Sequence, residues 1–251
     1  MLLAALVLPL EGPDRPQPLH ARGWVYRLLR EAAPEIHDAE GPKPFTVGVG
    51  GRPNAVWVRL TCLAEEVYAA LSPRLWSQVG LEVRLGEDTY RIKAVLEAEH
   101  PWAGLATWPR LFQGEAGPDL GLEFASPTFF RRQGANYPLP EPRLVLGSLI
   151  ERWNAHAPTP VPPEVAERLV EATTLRYLKG HTVSAVGHDR TVGFRGRVTY
   201  HLPRASTEEA RWLAALGRFA FFSGVGAKTT LGFGQVRPYP LLAPSAAPPG
   251  P

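Results

Sequence analysis

The sequence is poor in cysteine, methionine and lysine, and the lack of cysteine excludes whole classes of site. The 251-residue chain has one cysteine, Cys62, so it can form neither an intrachain disulfide nor a cluster of thiolate metal ligands. Its seven histidines do not show the His-Glu-x-x-His spacing of a helical zinc site. We therefore predict a cytoplasmic protein with no metal and no other cofactor.

Long apolar runs are also missing, apart from one over residues 1–10. This run lacks the basic residues that precede the apolar core of a signal peptide, and it leads directly into Glu11 and a Pro/Gly turn. It is far shorter than the roughly 20 apolar residues that span a membrane. Its length is typical of a strand buried in the middle of a sheet. We expect no membrane association.

Arginine supplies nearly all of the positive charge. Lysine occurs at only four positions, which are Lys43, Lys93, Lys179 and Lys228. The net charge of +3 and the pI of about 9.2 permit a polyanionic partner without requiring one. Guanidinium groups suit bidentate contacts with phosphate and stacking on bases. With 45% hydrophobic and 20% charged residues, the body of the chain has the composition of a folded globular protein.

Residues 1–115 carry the pattern of a small α+β domain. After the opening strand, apolar residues recur at helical spacing from Val25 to Ala32, and Pro34 ends this helix. Two strands over 45–50 and 55–62 flank a Gly/Pro turn. A helix over 64–75 and a strand over 89–96 follow. The order βαββαβ is that of the ferredoxin-like, or RRM-like, fold.

The same order returns after residues 100–118, where both composition and periodicity break. Strands are predicted over 120–125, 172–178, 191–202 and 231–237, and helices over 144–153 and 206–219. The second of these helices opens with Ser206 and Glu209 in the spacing of a capping box. The sequence thus predicts two tandem ferredoxin-like domains, residues 1–115 and 116–238, followed by a flexible proline-rich tail over 239–251.

The most informative segment is glycine-rich and runs from Ser223 to Gly234. Glycines let the backbone approach a ligand and aim several N–H groups one way, which suits phosphate binding. A Walker loop would need glycines where this chain has Ala227 and Phe222. The segment also follows a helix and leads into a strand, the reverse of a nucleotide-binding loop. A phosphotransfer enzyme that uses Lys228 as a phosphate clamp is therefore the weaker alternative.

This segment resembles the C-terminal signature of the CRISPR repeat-processing endoribonucleases, the Cas6 family of the RAMP superfamily. The resemblance extends over nearly the whole chain, through the tandem fold, residues 126–132, and His37 with Asp38 after the first helix. It implies metal-independent cleavage of CRISPR repeat RNA, in which a ribose 2′-hydroxyl attacks the neighbouring phosphate and leaves a cyclic phosphate. It also implies an RNA stem-loop as partner, and it leaves open a homodimer and association with a CRISPR effector complex.

The resemblance places the catalytic residues in the N-terminal half. His37 is the candidate base, since an unperturbed imidazole titrates near pH 6.5 and can accept a proton at neutral pH. Lys43 is the candidate for stabilising charge on the phosphate, and Tyr26 for orienting the substrate or donating a proton. A rival interpretation is an RNA-binding subunit of an effector complex that has lost catalysis. Its function would not depend on His37.

Basic residues on two strands predict further contacts with RNA. Arg131 and Arg132 follow a strand beside Phe129, a combination that can hold phosphates and stack bases. Alternation along residues 194–202 puts Arg195 and Arg197 on one face as a basic stripe. The full set of predicted RNA-binding residues is Arg22, Phe129, Arg131, Arg132, Arg195, Arg197, Gly224, Gly226, Lys228, Thr229, Gly232 and Gly234.

Overall fold

The strands and helices of the chain follow the predicted order in a computed structural model, which describes residues 1–38, 41–186 and 190–239. The side chains of His37 and Val186 lie outside this description. The predicted tail lies outside it as well, apart from Tyr239.

The N-terminal half folds as one antiparallel sheet with helices on one face. Its elements are β1 (Leu2–Glu11), α1 (Pro18–Ala32), α2 (Pro34–Asp38), β2 (Phe45–Arg52), β3 (Ala55–Cys62), α3 (Glu65–Ser77), β4 (Glu82–Leu85), β5 (Asp88–Ile92) and β6 (Gly104–Thr107). The strand order is β2-β3-β1-β5-β4, and β6 also pairs with β1. The opening strand is therefore central, as the sequence predicted.

The continuous apolar character of β1 has a structural cause. Leu6 and Leu8 point into the core beneath α1 and α3. Leu3 and Ala5 point the other way and join the core of the C-terminal half. A strand buried on both faces has no polar side to present, so its residues do not alternate.

The C-terminal half repeats the architecture with additions. Its elements are β7 (Asp119–Thr128), β8 (Phe130–Arg132), β9 (Ala135–Tyr137), α4 (Pro142–His156), α5 (Pro163–Ala172), β10 (Thr174–Val186), β11 (Arg190–His201), α6 (Thr207–Ser223) and β12 (Val236–Pro238). The sheet order is β10-β11-β7-β12, with every pair antiparallel. This is the ferredoxin-like strand order, so the predicted α+β fold of two tandem ferredoxin-like domains is confirmed.

The capping box of α6 forms as predicted. The amide of Glu209 donates to the Ser206 hydroxyl at 3.2 Å, and the amide of Ser206 donates to the Glu209 carboxylate at 2.7 Å. Two orphan donors at the start of the helix are thus satisfied by neighbouring side chains. The helix that precedes the glycine-rich segment therefore has a well-defined start.

Several elements differ from the sequence-based expectation. The helix α5, the strand β4 and the β8–β9 hairpin were not predicted. The last strand is shorter than predicted, because residues 229–231 form a 3-10 turn and Gly232 adopts a left-handed conformation. Residues 100–118, expected to separate the domains, contain β6 and a 3-10 helix from Trp108 to Phe112. Trp108 packs in the second core, and the boundary between residues 115 and 116 stays a prediction.

Candidate functional site

The glycine-rich segment is a folded loop that packs against the protein. Gly226 has φ +79°, and a Cβ added there would lie 2.4 Å from the carbonyl oxygen of Phe129. Gly234 has φ +67°, and a Cβ there would lie 2.0 Å from the carbonyl oxygen of Val225. Glycine is required at both positions, because any side chain would collide with backbone. These glycines let the loop fold closely on itself and on β7.

Several amides of this loop donate within the protein. The amide of Val225 donates to Gly234 at 2.9 Å, that of Ala227 to Phe129 at 2.8 Å, and that of Gly226 to the Ser148 hydroxyl at 2.9 Å. These amides are not available to a phosphate. The part of the loop that can contact a ligand is therefore centred on Lys228, whose left-handed backbone leads into the 3-10 turn.

A half-buried arginine on α4 holds the loop in place. Arg152 donates to the Gly226 carbonyl at 2.8 Å, to the Thr229 hydroxyl at 3.0 Å and to the Ser223 carbonyl at 3.5 Å. Burial lowers the pKa of Arg152, and the nearby carboxylate of Glu151 partly opposes this shift. The sequence analysis missed both Arg152 and Ser148. Their spacing of four residues on one helix puts both on the same face, but nothing in the sequence shows that the loop lies above them.

A second arginine joins the two domains beneath the loop. Arg59 on β3 has no exposed surface. It donates to the Trp102 carbonyl at 2.8 Å, the Phe221 carbonyl at 2.7 Å and the Gln235 side chain at 2.7 Å. Phe221 and Gln235 flank the glycine-rich loop on its two sides. One guanidinium from the N-terminal domain therefore pins both ends of a loop that belongs to the C-terminal domain.

Arg59 carries its charge without a carboxylate among these partners. Burial lowers its pKa to about 9, so the group remains protonated at neutral pH. The Phe221 ring lies 4.4 Å from the guanidinium carbon, which gives the charge a cation–π contact. The carbonyl of Phe221 belongs to the last turn of α6, where the helix dipole also favours a cation.

The predicted RNA contacts near β8 fall into two groups. Phe129 is fully buried, and its ring packs edge-on against Phe233 at 5.1 Å between ring centroids. Its burial removes it from the surface that a base could reach, because stacking needs an exposed ring face. Arg131 and Arg132 are exposed. Arg132 pairs with Glu141 at 3.2 Å, whereas Arg131 lines a cleft between the domains.

The predicted basic stripe on β11 is present but partly neutralised. Arg195 and Arg197 are both exposed on the sheet. Arg197 lies 3.8 Å from Glu123 on the neighbouring strand, and Arg237 pairs with the same carboxylate at 3.0 Å. Exposed pairs of this kind contribute only about 0–1 kcal/mol, so a phosphate can replace the carboxylate at low cost.

The predicted residues of the N-terminal half lie on and just after α1. The Tyr26 ring contacts Phe45 edge-on at 5.3 Å, and the Arg22 guanidinium carbon lies 4.3 Å from the centre of the Tyr26 ring. The backbone of His37 belongs to α2, but its side chain lies outside the described residues. The role of the His37 imidazole therefore stays a prediction.

The backbone of Lys43 forms a hydrogen bond with His156, the last residue of α4. Burial lowers the pKa of this histidine, the Arg152 charge lowers it further, and a hydrogen bond with the Lys43 backbone opposes both effects. His156 is thus next to the arginine that holds the loop and next to a predicted catalytic residue. The sequence analysis assigned it no role.

A cleft lies between the two domains beside the glycine-rich loop. Gly41 and Pro42 line it from the N-terminal domain, while Arg131, Arg143 and Gly226 line it from the C-terminal domain. Its volume is about 650 Å³. The cleft is open, is lined by three arginines and one carboxylate, Glu151, and includes part of the glycine-rich loop, so it can accommodate a segment of a polyanion.

Two features of the described residues bear on other kinds of site. No group of three or more His, Cys, Asp or Glu side chains in the described ranges is arranged to hold a metal ion. Within the same ranges, no helix is both long and apolar enough to cross a membrane.

Comparison with known proteins gives a consistent result. A family model described as CRISPR-associated endoribonuclease Cas6 matches residues 122–236. The Cas6 endoribonuclease of Mycobacterium tuberculosis is 34% identical over 122 residues, which is 48% of this chain and 38% of that protein. The match thus spans well under half of the length of this curated relative.

Solved structures match over much more of the chain. A Cas6 product complex is 58% identical, with a TM-score of 0.93 over 96% of this chain and 100% of that one. A Cas6 described as an H37A mutant is 56% identical, with a TM-score of 0.89 over 96% of this chain and 100% of that one.

Proposed function

The chain belongs to the Cas6 family of CRISPR-associated endoribonucleases, and we propose that it cleaves CRISPR repeat RNA in precursor transcripts to give guide RNAs. One observation carries the proposal: the glycine-rich loop and Gly41 and Pro42 of the other domain line the same cleft. An RNA strand held by the loop would pass beside these two residues, which lie between His37 and Lys43 in the sequence. The similar structure described as a Cas6 product complex supports binding of the cleavage product by this chain.

The proposed reaction is metal-independent. The 2′-hydroxyl oxygen forms a new bond to the adjacent phosphorus, while the bond from phosphorus to the 5′-oxygen of the next nucleotide breaks. The products are a 2′,3′-cyclic phosphate and a free 5′-hydroxyl. One proton leaves the 2′-hydroxyl, and another is delivered to the departing 5′-oxygen.

His37 is the proposed base that takes the proton from the 2′-hydroxyl, a role typically worth about 10²- to 10⁴-fold in rate. Lys43 is proposed to stabilise the negative charge that develops on the phosphate, and Tyr26 to orient the RNA or donate the second proton. The Cas6 relative described as an H37A mutant shows that a histidine was replaced in that protein, which supports choosing His37 here.

The proposed substrate is a repeat that folds into a short stem-loop. The exposed groups Arg131 and Arg195, together with Lys228, are proposed to contact its phosphates, and Arg132 and Arg197 to exchange their carboxylate partners for phosphate. Contacts with backbone and 2′-hydroxyls suit an A-form stem, whose deep groove hides the base edges. A second copy of the chain and a CRISPR effector complex are further proposed partners.

The test is cleavage of an end-labelled repeat RNA in EDTA by the wild type and by His37→Ala. Binding is measured in parallel with an RNA whose attacking 2′-hydroxyl is replaced by hydrogen. We expect His37→Ala to bind like the wild type and to lose at least about 100-fold in single-turnover rate at saturating protein. His181→Ala, which removes an exposed imidazole elsewhere, should cut at the wild-type rate.

Two outcomes would contradict parts of the proposal. Cleavage at the wild-type rate by His37→Ala would remove His37 from the chemistry and direct attention to Lys43 and Tyr26. Tight binding without any cleavage by the wild type would favour the rival function, an RNA-binding subunit without catalysis.

A further inference from the structure

A second cationic cavity lies on the outer side of α1, in the N-terminal domain. It has a volume of about 470 Å³ and is lined by His20, Arg27 and Arg30 of α1 and by Arg84 of β4. His20, Arg27 and Arg30 follow each other at intervals of seven and three residues, so they share one face of the helix. Tyr26, which has a role in the proposed reaction, also lines this cavity, whereas the cleft described above has a different set of lining residues.

The charges around this cavity are not neutralised within the described part of the chain. No carboxylate lines the cavity, and Arg27, Arg30 and Arg84 form no ion pair there. By contrast, Arg132 and Arg197 of the C-terminal domain each lie within 4 Å of a carboxylate. Like charges three residues apart on a helix repel each other, and a bound anion would relieve that repulsion.

The cavity wall is held in place by the turn between β4 and β5. The Nε of Arg84 donates to the carbonyl of Gly86 at 3.0 Å. This hydrogen bond does not use the two terminal amino groups of the guanidinium. A Cβ on Gly86 would lie 2.2 Å from Nδ1 of His20, and this glycine has φ +75°. The turn and the imidazole thus fit together only with glycine at this position. On the helix side of the cavity, a Cβ added to Gly23 would have no other atom within 4 Å, so the cavity is open there.

The first turn of α1 contacts both the cavity and the glycine-rich loop. Leu19 lines the cavity and also packs against the cluster of Phe129, Leu231 and Phe233. Next to Leu19, Pro18 lies so close to Gly232 that a Cβ on this glycine would be 2.8 Å from the proline ring. An RNA strand that leaves the glycine-rich loop would therefore reach the cavity across the first turn of α1.

We infer that this cavity binds the phosphates of an unpaired RNA strand that adjoins the stem. A duplex is stiff, whereas a single strand can bend so that successive phosphates follow a concave wall. Several guanidiniums that converge without a carboxylate match a phosphodiester, because each can donate charge-assisted hydrogen bonds. The inference deepens the proposed function and rests on it for the identity of the RNA.

The test compares two repeat RNAs, a stem alone and the same stem with unpaired extensions, in binding to the wild type and to the triple variant Arg27→Gln, Arg30→Gln, Arg84→Gln. We expect the wild type to bind the extended RNA at least about tenfold more tightly than the stem, and the triple variant to bind both alike. For the extended RNA, the slope of log affinity against log salt should become less steep by about 0.7 for each phosphate that the variant no longer neutralises.

A matched control removes arginines from another surface. The double variant Arg110→Gln, Arg211→Gln neutralises two exposed guanidiniums of other elements, and it should retain the preference for the extended RNA. Thermal unfolding of all variants checks that the fold is intact. A triple variant that keeps the wild-type preference would overturn the inference, and so would an equal decrease in affinity for both RNAs.

An unstructured oligouridylate separates this inference from the proposed function. The wild type should bind it through the cavity, and the triple variant should bind it at least about tenfold more weakly. That difference would persist even if the wild type proved unable to cut any repeat RNA. Equal binding by the two proteins would reject the cavity while leaving repeat cleavage unaffected.

Discussion

At the scale of single residues, two arginines of this protein bind its own backbone. Arg59 is buried and Arg152 is half-buried, and both donate to carbonyls within or beside the glycine-rich loop. A planar guanidinium can serve several acceptors at once, which a lysine ammonium cannot match in geometry. The arginine-rich composition thus reflects internal structure as well as affinity for phosphate.

Replacing Arg152 by methionine should loosen the loop. The change leaves the Gly226 carbonyl and the Thr229 hydroxyl without a donor, which costs about 1–3 kcal/mol for each buried group. We expect lower stability in urea and weaker binding of repeat RNA. Glu167→Ala alters an exposed carboxylate on α5, away from Arg152, and serves as control. Wild-type stability of Arg152→Met would contradict the assigned role.

The half-buried imidazole of His156 should make stability depend on pH. Burial lowers its pKa in the folded protein, so the unfolded chain takes up a proton first as the pH falls below the ordinary value of about 6.5. The stability of the wild type should therefore decrease between pH 7 and pH 5. Urea unfolding at several pH values should give a flatter profile for His156→Gln. Some slope should persist, because burial also lowers the pKa of His100. An identical profile for the variant would refute the prediction.

At the scale of elements, α6 and the loop that follows it form one unit. The helix starts at the Ser206 cap and ends at Gly224, whose φ of +65° begins the loop. The cap and most of the apolar face were recognisable in the sequence, because both depend on residues within one or two turns of each other. The shortening of the last strand was not recognisable in the sequence, because the Arg152 side chain of another helix holds the 3-10 turn at 229–231.

Removing the cap tests how much of the stability of α6 is local. Ser206→Ala deletes the acceptor for the Glu209 amide, and we expect a loss of about 1 kcal/mol in the free energy of unfolding. Thr207→Ala, at the next position, does not touch the reciprocal pair and should change stability less. Chemical denaturation measures both. Equal effects of the two substitutions would show that the capping box contributes nothing of its own.

At the scale of the whole molecule, the first sheet packs against both hydrophobic cores, one on each face. One face of β1 packs beneath α1, and the other joins the core of the second domain. Arg59 on the adjacent strand β3 lies in this second face and bonds to residues of the other domain. The two domains therefore present the loop and the cleft as one surface.

Replacing Arg59 should uncouple the domains. Arg59→Met keeps the bulk but leaves the Phe221 carbonyl and the Gln235 side chain without their donor. We expect a lower unfolding temperature and a lower single-turnover cleavage rate on a repeat RNA. Arg59→Lys keeps the charge and can restore only part of the bonding, so it should fall between wild type and Arg59→Met. Full activity of Arg59→Met would show that the loop does not need this anchor.

The sequence by itself determined the α+β class, the tandem domain order, the buried opening strand and the cap of α6, because each is encoded by residues close together in the chain. It also identified the glycine-rich segment by its composition. Only the tertiary structure decided which residues hold that segment, since Arg59 and Gln235 are 176 positions apart and Arg152 and Thr229 are 77 apart. It also decided that Phe129 is buried and that Arg84 lies beside Arg27 and Arg30. Periodicity reports which face of an element is buried, but it carries no information about what that face meets.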